Sequence, residues 1–127
     1  MSEPKYLGRP VNHPVQAVDL IDWSGGPIEV RLDCTEFTAI CPVTRQPDFG
    51  RLVIAYVPDR HLVETKSLKL YLWKYRDEPT FNETVVDRIA GELFEQIRPR
   101  WLRVEGVFQP RGGIHVTAVA ERGTRPT

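Results

Sequence analysis

The sequence predicts an α+β fold in the order strand, strand, helix, helix, strand, strand, with an antiparallel sheet covered on one face by the two helices. Three observations carry that prediction. Apolar and polar residues alternate with a period of two from Ile28 to Cys34 and again from Leu102 to Phe108, as half-buried strands require. Apolar residues at helical spacing fill two central stretches, Leu68 to Tyr75 and Val85 to Ile97. The chain has 127 residues, enough for one domain with its own core.

Each element follows from local chemistry. Residues 1–27, interrupted by Pro4, Pro10, Pro14, Gly25, Gly26 and Pro27, read as an irregular arm before a single domain over 28–121. The first strand alternates Ile28, Val30, Leu32 and Cys34 with Glu29, Arg31 and Asp33. The second, Leu52 to Val57, is a short apolar run that ends at Pro58 and reads as a buried strand. The segment Glu36 to Phe49 between them is longer than a tight hairpin and is stiffened by two prolines. Thr65 or Ser67 is the expected cap of the first helix. Thr80 with Glu83 has the spacing of a capping box for the second, and Pro99 stops it. The last two strands, Leu102 to Phe108 and Ile114 to Ala120, are joined by Gln109-Pro110-Arg111-Gly112-Gly113, a hairpin connection. Residues 122–127 read as a flexible tail. One sheet face and both sheet edges remain bare, which predicts that copies of the chain join edge to edge.

Composition narrows the function. Lys+Arg and Asp+Glu are both 17, so the chain lacks the basic footprint of a nucleic-acid binder, and no direct nucleic-acid partner is expected. No apolar run reaches the length of a membrane span. The opening Met1-Ser2-Glu3-Pro4-Lys5-Tyr6 carries no secretory h-region. Two cysteines without a leader predict reduced thiols and a cytoplasmic location. No metal site is expected: there is no Cys-x-x-Cys, and His13, His61 and His115 lack ligand spacing.

The densest chemical signal is Cys41 with Asp48, seven residues on. A thiolate is a strong nucleophile, and a nearby carboxyl group can give or take a proton. The plainer alternative is a small buried cysteine beside a turn aspartate, since most free cysteines are inert. Cys34 falls on the apolar parity of its strand, so burial is its expected role. Glu64-Thr65-Lys66-Ser67 opens a helix, where backbone N–H groups suit an anion, and Lys66 and Lys69 add charge on one side. The competing reading is an amphipathic helix with solvated lysines. Arg111, at a hairpin tip, either grips a phosphate or faces water. Trp23, Trp73 and Trp101 read as packing residues.

Taken together, Glu36-Phe37-Thr38, Cys41-Pro42, Thr44 and Gln46-Pro47-Asp48-Phe49 resemble the catalytic segment of the QueF-type, NADPH-dependent nitrile reductases. Glu64-Thr65-Lys66-Ser67-Leu68-Lys69-Leu70-Tyr71 resembles that family's signature. Phe81 with Glu83, and Pro110-Arg111-Gly112-Gly113, match in order and spacing. The similarity spans roughly residues 28 to 121. It implies a tunnel fold whose short, single-unit members assemble into homo-oligomeric rings, as a pentamer or decamer. It also implies reduction of the nitrile of 7-cyano-7-deazaguanine to the aminomethyl group with two NADPH, in tRNA queuosine biosynthesis. By that resemblance Cys41 adds to the nitrile as a thioimide and Asp48 supplies the proton. Substrate is held at Val63, Glu64, Thr65, Asn82 and Glu83. NADPH is held at Thr65, Lys66, Arg111 and Gly112, with Ser67 and Lys69 assisting. No Rossmann glycine motif is present, so cofactor binding uses another geometry, shared between subunits.

The chain departs from the family pattern at three places. Asn82 stands where the family usually has His, and it cannot titrate near neutrality. Arg45 stands where the family usually has Gly, which would strain the backbone if φ is positive there. Thr65 replaces a Ser and keeps the hydroxyl. Two other readings share these residues. An amidine-forming relative acting on nitrile-bearing tRNA would not need the Glu64–Tyr71 signature. A non-catalytic purine- or pterin-binding member would form no adduct at Cys41.

Overall fold

The computed structural model describes residues 4–6 and 8–126, so residues 1–3 and 7 of the expected arm and residue 127 of the expected tail lie outside the described residues. Its elements are β1 (Leu20–Asp22), β2 (Val30–Ile40), β3 (Pro47–Val57), β4 (His61–Val63), α1 (Thr65–Trp73), a 3-10 turn (Lys74–Arg76), α2 (Asn82–Ile97), β5 (Trp101–Phe108) and β6 (Thr117–Gly123). Four strands form one antiparallel sheet in the order β2-β3-β5-β6, and β1 pairs with β4 in a separate two-stranded sheet. The expected α+β architecture is present, with β1, β4 and the 3-10 turn added to the anticipated order.

The alternation within each strand decides which face is buried. Leu52, Ile54 and Tyr56 of β3 and Leu102, Val104 and Phe108 of β5 form the floor of the core, and Val85, Val86, Ile89, Leu93 and Ile97 of α2 close over it. Burying each such side chain stabilises the fold by about 1.5–3 kcal/mol before entropy is counted. Gly106 permits the close approach of helix to sheet, because a Cβ there would stand 2.7 Å from Val86 Cγ2. The opposite face is laced with charge. Arg51 pairs with Asp33 at 2.6 Å and Arg103 with Glu105 at 3.0 Å, while the Arg125 guanidinium lies 4.4 Å from the Trp101 ring centroid. Within the described residues, β2 and β6 have no strand on their outer sides.

Several local expectations are corrected. β2 does not end at Cys34. A register shift between Cys34 and Phe37 carries it on to Ile40, so that Cys34, Phe37 and Ala39 all turn inward. That bulge breaks the period-two signal and made the second half of the strand read as a loop. The expected capping box is absent: Phe81 is the N-cap of α2 and makes no side-chain cap bond, while Thr80 Oγ1 donates to the Glu78 carbonyl. The other helix is capped by neither Thr65 nor Ser67 but by Glu64, whose carboxylate accepts from the Lys66 and Ser67 N–H groups. The last strand starts at Thr117 and runs to Gly123, leaving Ile114 exposed in the turn before it. The N-terminal arm is ordered by specific contacts. Asp19 is buried and its carboxylate accepts from the Lys5 and Tyr6 N–H groups at 2.7 Å each, while Lys66 Nζ donates to the carbonyls of Tyr6 and Arg9.

Candidate active site

The β2–β3 hairpin ends in a six-residue connection, Cys41 to Gln46. It is closed by the Cys41 N–H donating to Gln46 O and the Arg45 N–H donating to Cys41 O, both at 3.0 Å. Closing it in so few residues needs a left-handed step, and Arg45 takes it at φ 61°. A non-glycine residue in that region carries strain of about 1 kcal/mol or more. Ala39 lies opposite Asp48 in the ladder and Ile40 opposite Pro47, so Cys41 and Asp48 fall on one face as diagonal neighbours across the hairpin.

The turn also sets the chemistry of the thiol. The Thr44 hydroxyl, the Thr44 N–H and the Val43 N–H hold the Cys41 thiol below the usual cysteine range, against the opposing charge of Asp48. Hydrogen bonds to the thiolate favour that form, the one in which a cysteine can act as a nucleophile. Thr44 was not singled out as functional in the sequence. Its signals are its place in the segment that resembles the family's catalytic one and a hydroxyl three positions after a cysteine in a proline-containing turn. Cys34 is the opposite case: burial and the neighbouring Asp33 push its thiol up.

Asp48 is nearly buried and ion-paired. Arg111 Nε lies 2.8 Å from Asp48 Oδ1, and the two terminal nitrogens of the same guanidinium donate to Gln46 Oε1 at 3.2 Å and Pro47 O at 2.6 Å. The guanidinium is thus half-exposed at the hairpin tip, with its nitrogens turned toward Gln46, Pro47 and Asp48. Gly112 and Gly113 have φ 58° and 79° and no atom near a would-be Cβ. They form an open two-residue turn between the paired Arg111 and Ile114.

The start of α2 lies beside this turn. The Thr80 N–H donates to Ile40 O at 3.0 Å and Pro79 bridges Ile40, which brings Asn82 and the exposed Glu83 to the end of β2 that carries Cys41. Asn82 Oδ1 is closed off from solvent without a hydrogen-bond partner in the chain. Leaving such an oxygen unpaired costs about 1–3 kcal/mol, so a donor that reached it would be rewarded.

The remaining expected residues gather elsewhere. A cleft of about 640 Å³ separates β2 from α1, lined by the apolar Leu32, Leu68, Leu72 and Trp73, with Arg31, Lys69 and Arg76 among its charged residues and Thr65 and Cys34 on its wall. Val63 and Glu64 are buried at the start of α1. Ser67 is fully buried, its hydroxyl donating to Glu64 O and accepting from the Asp19 N–H, so its role is structural and it offers nothing to a cofactor. Lys66 is engaged with the arm. The nine residues of α1 and the three of the 3-10 turn span roughly 20 Å at the rises of those helices. Phe37 packs on Tyr75 at the far end of that rod, with ring centroids 6.1 Å apart. Glu64 and Thr65 therefore stand at the start of the rod, and the strand that leads to Cys41 packs against its far end.

An antiparallel sheet backed by two helices is the subunit architecture of the tunnel fold. The crystal structure of an archaeosine synthase QueF-Like in the apo form superposes with a TM-score of 0.68, covering 82% of this chain and 100% of that one at 18% identity. A family model described as QueF-like protein matches residues 47–127. The NADPH-dependent 7-cyano-7-deazaguanine reductase of Anaeromyxobacter dehalogenans is 51% identical over 102 residues, 80% of this chain and 84% of that protein. The same-named protein of Nitrosospira multiformis is 49% identical over 92 residues, 72% of this chain and 66% of its own length. The chain belongs to the QueF-like family.

Proposed function

We propose that the chain is an NADPH-dependent oxidoreductase that reduces the nitrile of 7-cyano-7-deazaguanine to the primary amine through a thioimide on Cys41, as a step in tRNA queuosine biosynthesis. The observation that carries this reading is the Cys41 turn, in which Thr44 and Val43 favour the thiolate and Asp48 stands on the same face. The reductase name borne by relatives about 50% identical supports the same substrate and cofactor.

Cys41 Sγ adds to the nitrile carbon, one carbon–nitrogen π bond opens, and the nitrogen takes a proton delivered through Asp48. A thiolate also leaves well, so Cys41 is released once the carbon has been reduced. Glu83 and Asn82, beside that turn, hold the guanine-like edge: a carboxylate accepts from its amino and ring N–H groups, and an amide both donates and accepts. Each Glu64 oxygen accepts one N–H within the chain and keeps a further lone pair for substrate. Val63, Glu64 and Thr65 gather at the start of α1, apart from the Cys41 turn in sequence and in element, and they serve a neighbouring subunit's Cys41, with the open edges of β2 and β6 as the places where copies join into a ring.

The donor set suits NADPH. Lys69 and Arg76 have no ion-pair partner within the described residues, and they stand at a cleft walled by apolar side chains and Trp73. That is the pairing of charge and flat apolar surface a dinucleotide phosphate requires. When bound, NADPH supplies the two hydride equivalents that take a nitrile to an amine. Thr65, Lys69 and Arg76 would hold its phosphates, and Lys66 keeps the start of α1 in place.

The test is intact mass after incubation with the nitrile alone. The native chain gains the mass of one substrate and Cys41→Ala gains none. Subsequent NADPH oxidation reaches two per nitrile. Turnover by Cys41→Ala would end the thioimide reading.

A further inference from the structure

We infer that Arg111 is a positioning residue that acts through Asp48, fixing the carboxyl group against the Cys41 turn. The inference deepens the proposed function and rests on it. Arg111 is 63 residues from Asp48 in sequence and belongs to another hairpin. Three features make it a clamp and not a passing surface pair.

First, all three outward nitrogens of the guanidinium are used, and all on consecutive residues. Nε meets Asp48 Oδ1 at 2.8 Å, one terminal nitrogen meets Pro47 O at 2.6 Å and the other meets Gln46 Oε1 at 3.2 Å. A planar fork held at three points fixes direction as well as distance, which a lysine cannot do. Second, the carboxylate end is nearly buried, with a side chain 10% exposed, so the pair is less screened than an ordinary surface contact. Third, the backbone beneath Arg111 is rigid. The Arg111 and Ile114 N–H groups each donate to the other's carbonyl at 3.0 Å around the Gly112–Gly113 turn, and the Gln109 N–H donates to Phe49 O at 2.9 Å. The β5–β6 hairpin tip is thereby tied to β3 one residue beyond Asp48.

The residue Arg111 holds closes the catalytic turn as well. Gln46 accepts the Cys41 N–H through its carbonyl and Arg111 through its side chain. One cation therefore links both reacting groups: it sets the Asp48 carboxyl directly and the Cys41 backbone through Gln46.

The experiment follows adduct formation on Cys41 by time-resolved intact mass with 7-cyano-7-deazaguanine and no NADPH. Cofactor binding cannot enter that measurement. Arg111→Gln is expected to slow the adduct by 10-fold or more. Arg111→Lys, which keeps the charge but loses the fork, recovers only part of the rate. Adding Arg111→Gln to Asp48→Asn is expected to slow the reaction by no more than the about 2- to 3-fold of the Gln46 contact, well short of the full Arg111→Gln loss. Gln46→Ala, which leaves the ion pair intact, costs about 2- to 3-fold and keeps the test open if Arg111→Gln does not fold. Wild-type adduct rates in Arg111→Gln and Arg111→Lys, with only the NADPH KM raised, would overturn the inference and make Arg111 a phosphate ligand. Losses that multiply in the double variant would also overturn it. A wild-type rate in Asp48→Asn, or no adduct in the native chain, would instead defeat the proposed function itself.

Discussion

Cys34 and Cys41 sit seven residues apart along one stretch of chain, yet their surroundings drive the two thiols in opposite directions. Cys34 is inside β2, where the N–H groups are committed to the ladder with β3 and leave a side chain only packing and the charge of Asp33. Cys41 is one residue past the strand, in a turn whose Val43 and Thr44 N–H groups are free of the ladder and point at the sulfur. The difference teaches that the end of the hairpin, and not the cysteine as a residue type, decides which way a thiol is driven.

The strongest way to break that comparison is alkylation. Iodoacetamide at pH 7 is expected to modify Cys41 at least about 100-fold faster than Cys34, as thiolate character and access both demand. Peptide mapping of the modified chain decides it, and equal rates would erase the distinction. The pH dependence has a definite sign. A thiol held below its ordinary range gives up its proton at lower pH than a free cysteine, so the alkylation profile of Cys41 lies to the acid side of free cysteine, and that of Cys34 to the alkaline side. Thr44→Val sharpens the point. It removes the largest single contribution to the lowered thiol, moves the Cys41 profile to higher pH, and lowers the rate at pH 7 by about 3- to 10-fold, the worth of one ordinary hydrogen bond. An unmoved profile would mean that backbone N–H groups do all of the work. The smallest effect concerns the cost of the turn. Arg45→Gly relieves the left-handed strain at φ 61° at some entropic expense in the unfolded chain. It is expected to stabilise by about 0.5–1 kcal/mol, seen as a rise of about 2–4 °C in Tm.

Much of this arrangement is legible in the sequence, and what is not has physical reasons. Period-two alternation marks the strands around Leu32 and Val104, a continuous apolar run marks the one around Ile54, and the 3.6-residue stripe from Val85 to Ile97 marks α2, because those patterns are direct records of burial. The β1–β4 pair leaves no such record, since three residues are too few to show a period. The bulge after Cys34 inverts the parity of β2 and conceals its second half. Glu64 is an unusual capping residue, so the eye falls on Thr65 and Ser67 instead. In the candidate site, Cys41 and Asp48 are neighbours through a local hairpin and can be paired from sequence alone. The Arg111 contact joins two hairpins, and no spacing rule reports it.

The N-terminal arm has a consequence of its own. A single buried carboxylate, Asp19, gathers the backbone of Lys5 and Tyr6, while its own N–H rests on the Ser67 hydroxyl and its carbonyl receives the Glu64 N–H. The first turn of α1 is thus fastened from outside by a stretch of chain that carries almost no regular structure. A shortened version starting at the main sheet would keep every large apolar residue of α2 and its strands, yet lose the latch that keeps Glu64 and Thr65 facing where they do.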